Sequence, residues 1–207
     1  MTNYKYIIGI DEVGRGPVAG PVAVGAVVVL TENIEEVVRT FGVFKDSKKM
    51  TPKKRNEWFL NINQAKKNAL LDYKVIFVDN KNIDKFGIAR SIKTCISKSL
   101  KNIQNQQGLN TCIPSECFVL LDGGLKAPTE YVNQKTIIKG DEKELLIALA
   151  SIVAKVTRDV LMCNFAKKYP EYGFEKHKGY GTKFHMETIK KNGMSELHRK
   201  SFLTKLL

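Results

Sequence analysis

The sequence has no apolar run long enough to cross a bilayer. Its longest, Val22 to Leu30, falls well short of the roughly 20 residues a spanning helix needs. The start, MTNYKYIIGID, lacks a charged segment ahead of an apolar one, so no secretory leader is expected and the protein reads as cytoplasmic. Cysteine is scarce: four residues, at 95, 112, 117 and 163, without a Cys-x-x-Cys pair. The three histidines supply no zinc spacing around them. Buried free thiols in a reducing compartment are expected, which excludes a disulfide framework and a structural zinc module. Internal repeats, low-complexity tracts and Pro/Ser-rich linkers are also missing, so residues 1–207 read as one continuous domain.

What is abundant is positive charge. Thirty-four Lys and Arg stand against 21 Asp and Glu, a formal net charge of +13 with a pI near 9.5. Such a field favours polyanions, nucleic acid before acidic membrane surfaces; the alternative is a merely solubilising surface. Lys45, Lys48, Lys49, Lys53, Lys54 and Arg55 are diluted by one acid, Asp46. They read either as a sequence-independent phosphate patch or as a solvated helix face.

Periodicity places the elements. Tyr4–Ile10, Val22–Leu30, Lys74–Val78 and Cys117–Leu121 read as strands, the second buried on both faces. A helix is expected after Thr51 with Pro52 in its first turn, its apolar spacing carried by Trp58, Ile62, Ala65 and Ala69. Ile88 to Ile103 marks a second helix ending near Gly108. Glu142 to Phe165 reads as one long apolar helix, and a last helix starts at Thr182 and stops at Gly193. The expected class is α/β, a mixed central sheet flanked by helices, with a C-terminal helical part from about 182.

Three acidic sites fall where the chain leaves or enters these elements: Asp11-Glu12, Asp122 and Asp141. Crevices form at such strand ends. Carboxylates gathered there would repel one another and call for a cation, and oxygen-only donors suit Mg²⁺ or Mn²⁺. Two such ions can activate water and stabilise the leaving oxygen in phosphodiester cleavage. Taken singly, Asp122 reads equally well as a turn residue before Gly123-Gly124, and Asp141 as a helix N-cap. Asp11-Glu12 is harder to explain away, because its one nearby cation is Arg15. Gly14-Arg15-Gly16-Pro17 permits close approach of backbone to a ligand, or is simply a tight loop. In His177-Lys178-Gly179-Tyr180-Gly181-Thr182 the ring of Tyr180 is placed to stack on a sugar or base, or is an ordinary half-buried tyrosine.

Several segments, in this order, resemble bacterial ribonuclease HII, the type 2 ribonuclease H family. They are Gly9-Ile10-Asp11-Glu12-Val13-Gly14-Arg15-Gly16-Pro17, Asp46-Ser47-Lys48-Lys49-Met50, Leu121-Asp122-Gly123 and Lys139-Gly140-Asp141. Ala150-Ser151-Ile152-Val153-Ala154-Lys155-Val156-Thr157-Arg158-Asp159, Lys178-Gly179-Tyr180-Gly181-Thr182 and His198-Arg199-Lys200-Ser201-Phe202 follow. The resemblance implies a ribonuclease H-like fold with catalytic, metal-holding acids at Asp11, Glu12, Asp122 and Asp141. It implies that Gly14, Arg15 and Gly16 sense a 2′-hydroxyl at an RNA–DNA junction, that Tyr180 stacks on the neighbouring deoxyribose, and that Lys48, with Lys49 beside it, holds phosphate. Arg15 between the glycines, and a first strand at the very start, favour type 2 over type 3.

Departures are small: Met50 stands where leucine is usual, Leu149 replaces a small residue, and the chain stops five residues after Phe202. Asp159 is expected to be a structural ion-pair or hydrogen-bond residue. The implied activity is cleavage of the RNA strand of RNA/DNA hybrids, and of duplex DNA on the 5′ side of an embedded ribonucleotide. It would use two Mg²⁺ or Mn²⁺ ions and leave 3′-hydroxyl and 5′-phosphate ends, with the protein acting as a monomer away from membranes. A non-enzymatic RNA-binding protein would account for the charge but not for the acids. A junction or integrase-type nuclease would share the acids but not need the 2′-hydroxyl sensor.

Overall fold

A computed structural model describes residues 4–42, 50–104 and 113–204. Lys45, Lys48, Lys49, Gly108 and Cys112 lie outside these described residues.

The centre is a five-stranded sheet in the order β3-β2-β1-β4-β5. Strands β1 (Tyr6–Val13), β2 (Val22–Leu30) and β3 (Asp72–Val78) form an antiparallel meander. Strand β4 (Cys117–Asp122) runs parallel to β1, and β5 (Gln134–Ile137) parallel to β4. The expected mixed sheet is therefore present, and β2 has the expected bounds and near-complete burial. Strand β1 runs three residues further than expected, because Asp11, Glu12 and Val13 keep pairing with Gly25, Val24 and Ala23. The acidic pair thus lies within the end of the strand, held by its ladder, rather than beyond it.

Side-chain alternation sorts the core into two layers. Ile8, Ile10, Val24, Ala26, Val119 and Leu121 face helix α4 (Ile88–Gln104), which contributes Ile92, Cys95, Ile96 and Ile103. On the opposite face Val27, Val29 and Ile7 meet helix α2 (Pro52–Lys67) and helix α6 (Leu145–Lys168) through Ile62, Leu149 and Val153. The Thr51 hydroxyl caps α2 by accepting from the Lys54 N–H, as its position ahead of Pro52 suggests. Ala69 lies beyond the end of α2, in a left-handed conformation at φ 56°.

Helix α1 (Ile34–Phe41), the short α3 (Asn80–Phe86) and strand β5 go beyond what periodicity predicts. The long helix is two: α5 (Gly140–Lys143), then an extended Glu144, then α6. Asp141 therefore sits inside α5 rather than capping a helix, and the position before α5 is Lys139 in a left-handed conformation. Helix α7 (Phe174–His177) leads into α8 (Lys183–Asn192), capped by Thr182 and ended at Gly193 as expected, and α9 (Lys200–Leu203) follows. These pack with Val18, Ala19 and Met162 in a third cluster around Phe174.

Helix α6 rides directly on the sheet backbone. A Cβ at Gly9 would lie 2.2 Å from the Leu146 carbonyl carbon, and one at Gly25 would lie 2.3 Å from the Ala150 oxygen. Neither neighbour is a flexible side-chain end, so relief requires the helix to move. Gly9→Ala should therefore cost about 1–3 kcal/mol by overpacking, measured by urea unfolding. Gly124→Ala, which meets nothing within 4 Å, should stay within about 0.5 kcal/mol of the parent.

Candidate active site

Parallel pairing of β1 with β4 sets Ile10 against Leu121. One step further along, the register brings Asp11 beside Asp122, both on the face that carries α6. Glu12 completes a group in which one carboxylate oxygen from each of Asp11, Glu12 and Asp122 lies within 4.8 Å of the others. Three acids on two adjacent strand ends are thus gathered by backbone pairing alone. Asp11 is 3% exposed. Burial pushes its carboxyl well above the ordinary value, Glu12 and Asp122 add to the rise, and hydrogen bonding from Ser151 and the Glu12 N–H opposes it. Burial also raises Glu12, with Asp122 adding and the Arg15 cation opposing. An oxygen-rich spot that repels itself is a place for a hard cation, and among the described residues no histidine or thiol joins it.

Asp11 and Glu12 open on a cleft of about 360 Å³ that also contains Gly14, Arg15, Gly16 and Tyr180. The Arg15 guanidinium stands 3.6 Å from Glu12 and is largely exposed. A Cβ on Gly16 would meet only the Tyr180 ring, at 3.9 Å, so the loop backbone and the ring face each other. Beneath them lie two fully buried arginines. Arg199 donates to the carbonyls of Gly20, Arg15 and Gly14 at 2.9, 3.1 and 2.7 Å. Arg158, on α6, donates to Pro21 and Lys178 at 2.9 and 3.0 Å, with Ala19 at 3.4 Å. A Cβ on Gly14, at φ 84°, would fall 2.3 Å from the Arg158 Nε. That glycine is required both by its left-handed backbone and by the cation against it.

Tyr180 is held from behind by a histidine chain. The Ser195 N–H donates to His198 Nδ1 at 2.8 Å, which leaves the His198 Nε2–H to donate to His185 Nε2 at 3.0 Å. His185 Nδ1–H then donates to the Tyr180 carbonyl at 2.8 Å. His177 stacks on His185 with ring centroids 4.1 Å apart. Histidine spacing alone does not reveal this chain of neutral rings, because residues 177, 185 and 198 meet only after α8 turns the chain back.

Of the expected site residues, then, Asp11, Glu12 and Asp122 come together, and Gly14, Arg15, Gly16 and Tyr180 share the cleft on which the first two open. Asp141 is fully buried on α5 and stands outside the 4.8 Å group. It adjoins that group through Gly140, whose N–H donates to Asp122 Oδ1 at 2.6 Å. Lys48 and Lys49 lie outside the described residues. Ser151, Lys155 and Arg55 also line the cleft, although the sequence pattern by itself assigns no role to the first two. Their signal is the i, i+4 spacing of Ser151 and Lys155 on one helix face. Asp159 has the expected ion pair, with Lys155 at 2.8 Å rather than with adjacent Arg158.

The family model described as Ribonuclease HII matches residues 8–205. The chain is 44% identical over 204 residues to the ribonuclease HII of Caldicellulosiruptor bescii, covering 99% of this chain and 89% of the relative. It is also 44% identical over 207 residues to that of Fusobacterium nucleatum, covering 99% and 88%. The crystal structure of ribonuclease H2 from Pyrococcus horikoshii superposes with a TM-score of 0.69 at 28% identity, covering 95% of this chain and 93% of that one.

The histidine chain makes the Tyr180 support acid-sensitive. Burial lowers all three rings, and His185 falls to about 4 despite the opposing bond to the Tyr180 carbonyl. An unfolded ring titrates near 6.5, so between that pH and about 4 the unfolded chain binds more protons than the folded one. Their contribution to stability is thus complete at pH 7 and lost as pH falls through this window. Urea unfolding across it should show that decline, and His185→Phe should be less stable at pH 7 but flatter in pH dependence.

Proposed function

The chain belongs to the ribonuclease HII family, and from its site geometry we propose that it cuts duplex DNA on the 5′ side of an embedded ribonucleotide as well as the RNA strand of RNA/DNA hybrids. Family membership makes it an endonuclease of the ribonuclease H type, divalent-metal dependent and leaving 5′-phosphate ends. The observation that carries the finer reading is the shared cleft: a carboxylate cluster opens into it beside a glycine-flanked Arg15 and an aromatic wall, Tyr180.

The donor set fits Mg²⁺ or Mn²⁺, being oxygen-only and mutually repelling. Asp11, Glu12, Asp122 and Asp141 would hold two such ions, which supply an acidified water and charge neutralisation at phosphorus in this class of reaction. The chain's own contributions are positional. Ser151 orients the Asp11 carboxylate, and the Gly140 N–H fixes that of Asp122. Gly14, Arg15 and Gly16 meet the sugar beside the scissile phosphate and read its 2′-hydroxyl, the group that separates RNA from DNA. Tyr180 stacks on the next deoxyribose, opposite Gly16. Lys155 lines the cleft and would meet a phosphate there, and Lys48 and Lys49 would supply further phosphate contacts. We read residues 1–207 as one catalytic domain acting as a monomer in the cytoplasm. The buried free thiol of Cys95 supports a reducing compartment, and among the described residues no helix is long and apolar enough to cross a membrane.

A duplex with one ribonucleotide should be cut once, on its 5′ side, with Mg²⁺ or Mn²⁺, giving no 2′,3′-cyclic phosphate. A site built to bind a hydroxyl rejects the analogue lacking it by a factor on the order of 10⁴, so the all-DNA duplex should survive. Equal cutting of both would assign a junction-type nuclease instead. Asp11→Asn and Asp122→Asn should abolish turnover while still binding duplex in a gel-shift assay. Without divalent ion, Asp11→Asn should also melt higher than the parent, since it removes a buried charge whose ionisation folding opposes. Tyr180→Phe should keep most activity and Tyr180→Ala lose it, because stacking needs the ring alone.

A further inference from the structure

A second groove, of about 620 Å³, opens on the other side of Arg15 from the cleft. Its floor is apolar, from Ile92, Leu125 and Pro128, and its edges carry Arg15, Lys93 and Lys126. From Lys93 the groove continues onto the outer face of α4, where Arg90, Lys98 and Lys101 border a shallow depression with it. Helix α4 has no acidic residue in its 17 positions. Its four cations are exposed, and among the described residues none forms an ion pair. A solubilising face ordinarily mixes signs and gains from i, i+4 pairs; this one is of a single sign. Arg90 to Lys101 spans roughly 16 Å at 1.5 Å per residue. That is about five phosphates of a strand rising 3.4 Å per step.

We propose that this groove and the α4 ridge form a nucleic-acid backbone site that grips the duplex flanking the cleavage point. The inference rests on the nuclease reading above and extends it. An apolar floor between cations accepts the sugar and base edges of a strand while the cations take its phosphates. Because Arg15 lines both openings, the strand passes from one to the other without leaving the protein. Contacts of this kind carry no sequence preference and depend on salt through counterion release.

The test is the triple variant Lys93→Ala, Lys98→Ala, Lys101→Ala, at exposed positions where alanine favours the helix. Binding of an RNA-containing duplex is measured against salt, once with a duplex ending at the cleft and once with flanks long enough to cover α4. On the long duplex the salt slope should fall by roughly 2.7, that is 0.9 for each of three cations. The short duplex should be bound equally by parent and variant, and turnover at saturating substrate should be unchanged. An unchanged slope on the long duplex, or equal losses on both, would overturn the site. Failure of the parent enzyme to cut any ribonucleotide-containing duplex would instead overturn the nuclease reading, so the two failures are distinct.

Discussion

Two buried guanidinium groups organise the walls of the cleft that Asp11 and Glu12 open on. A cation stripped of water is tolerated only where dipoles replace the solvent. Here the loop after β1 and the turn before Tyr180 point their carbonyls inward to do so. Burial, with the Arg158 cation beside it, lowers Arg199 to about 9, which leaves it charged near neutrality. The hydrogen bonds to these carbonyls offset the cost of burying two like charges close together, and they fix three chain segments at one point: the end of β1, helix α6 and the start of α9. Loop and ring face each other across the cleft because both are fastened to the same pair of side chains.

The acidic group has a different origin. Backbone register, not side-chain attraction, brings Asp11 to Asp122, and the sheet's stability holds together groups that repel. These strand ends are readable in the sequence because an apolar run that terminates in an acid places charge where solvent is scarce. The caps at Thr51 and Thr182, and the full burial of β2, are readable for equally local reasons.

What the sequence hides depends on distance along the chain. Strand β5, Gln134–Ile137, is a short edge strand of half-exposed residues whose conformation is set by pairing with β4. Nothing in its own pattern alternates. The break at Glu144 has neither proline nor glycine at the break itself, so no local signal interrupts the apolar helix. Arg158 and Arg199 look like surface charges until the fold surrounds them, and the three histidines are unrelated until α8 reverses the chain.

That break gives Asp141 a carriage of its own. Helix α6 is pinned to the sheet at Gly9 and Gly25 and cannot slide, whereas Asp141 stands on a four-residue helix between a left-handed Lys139 and an extended Glu144. Asp11, Glu12 and Asp122 are therefore carried by the strands and their ladder, whereas the fully buried Asp141 rides on α5, which is tied to Asp122 by the Gly140 N–H. Any change in the backbone at Lys139 or Glu144 is therefore passed to the Asp122 carboxylate through that bond, while the strand register and the seat of α6 stay as they are.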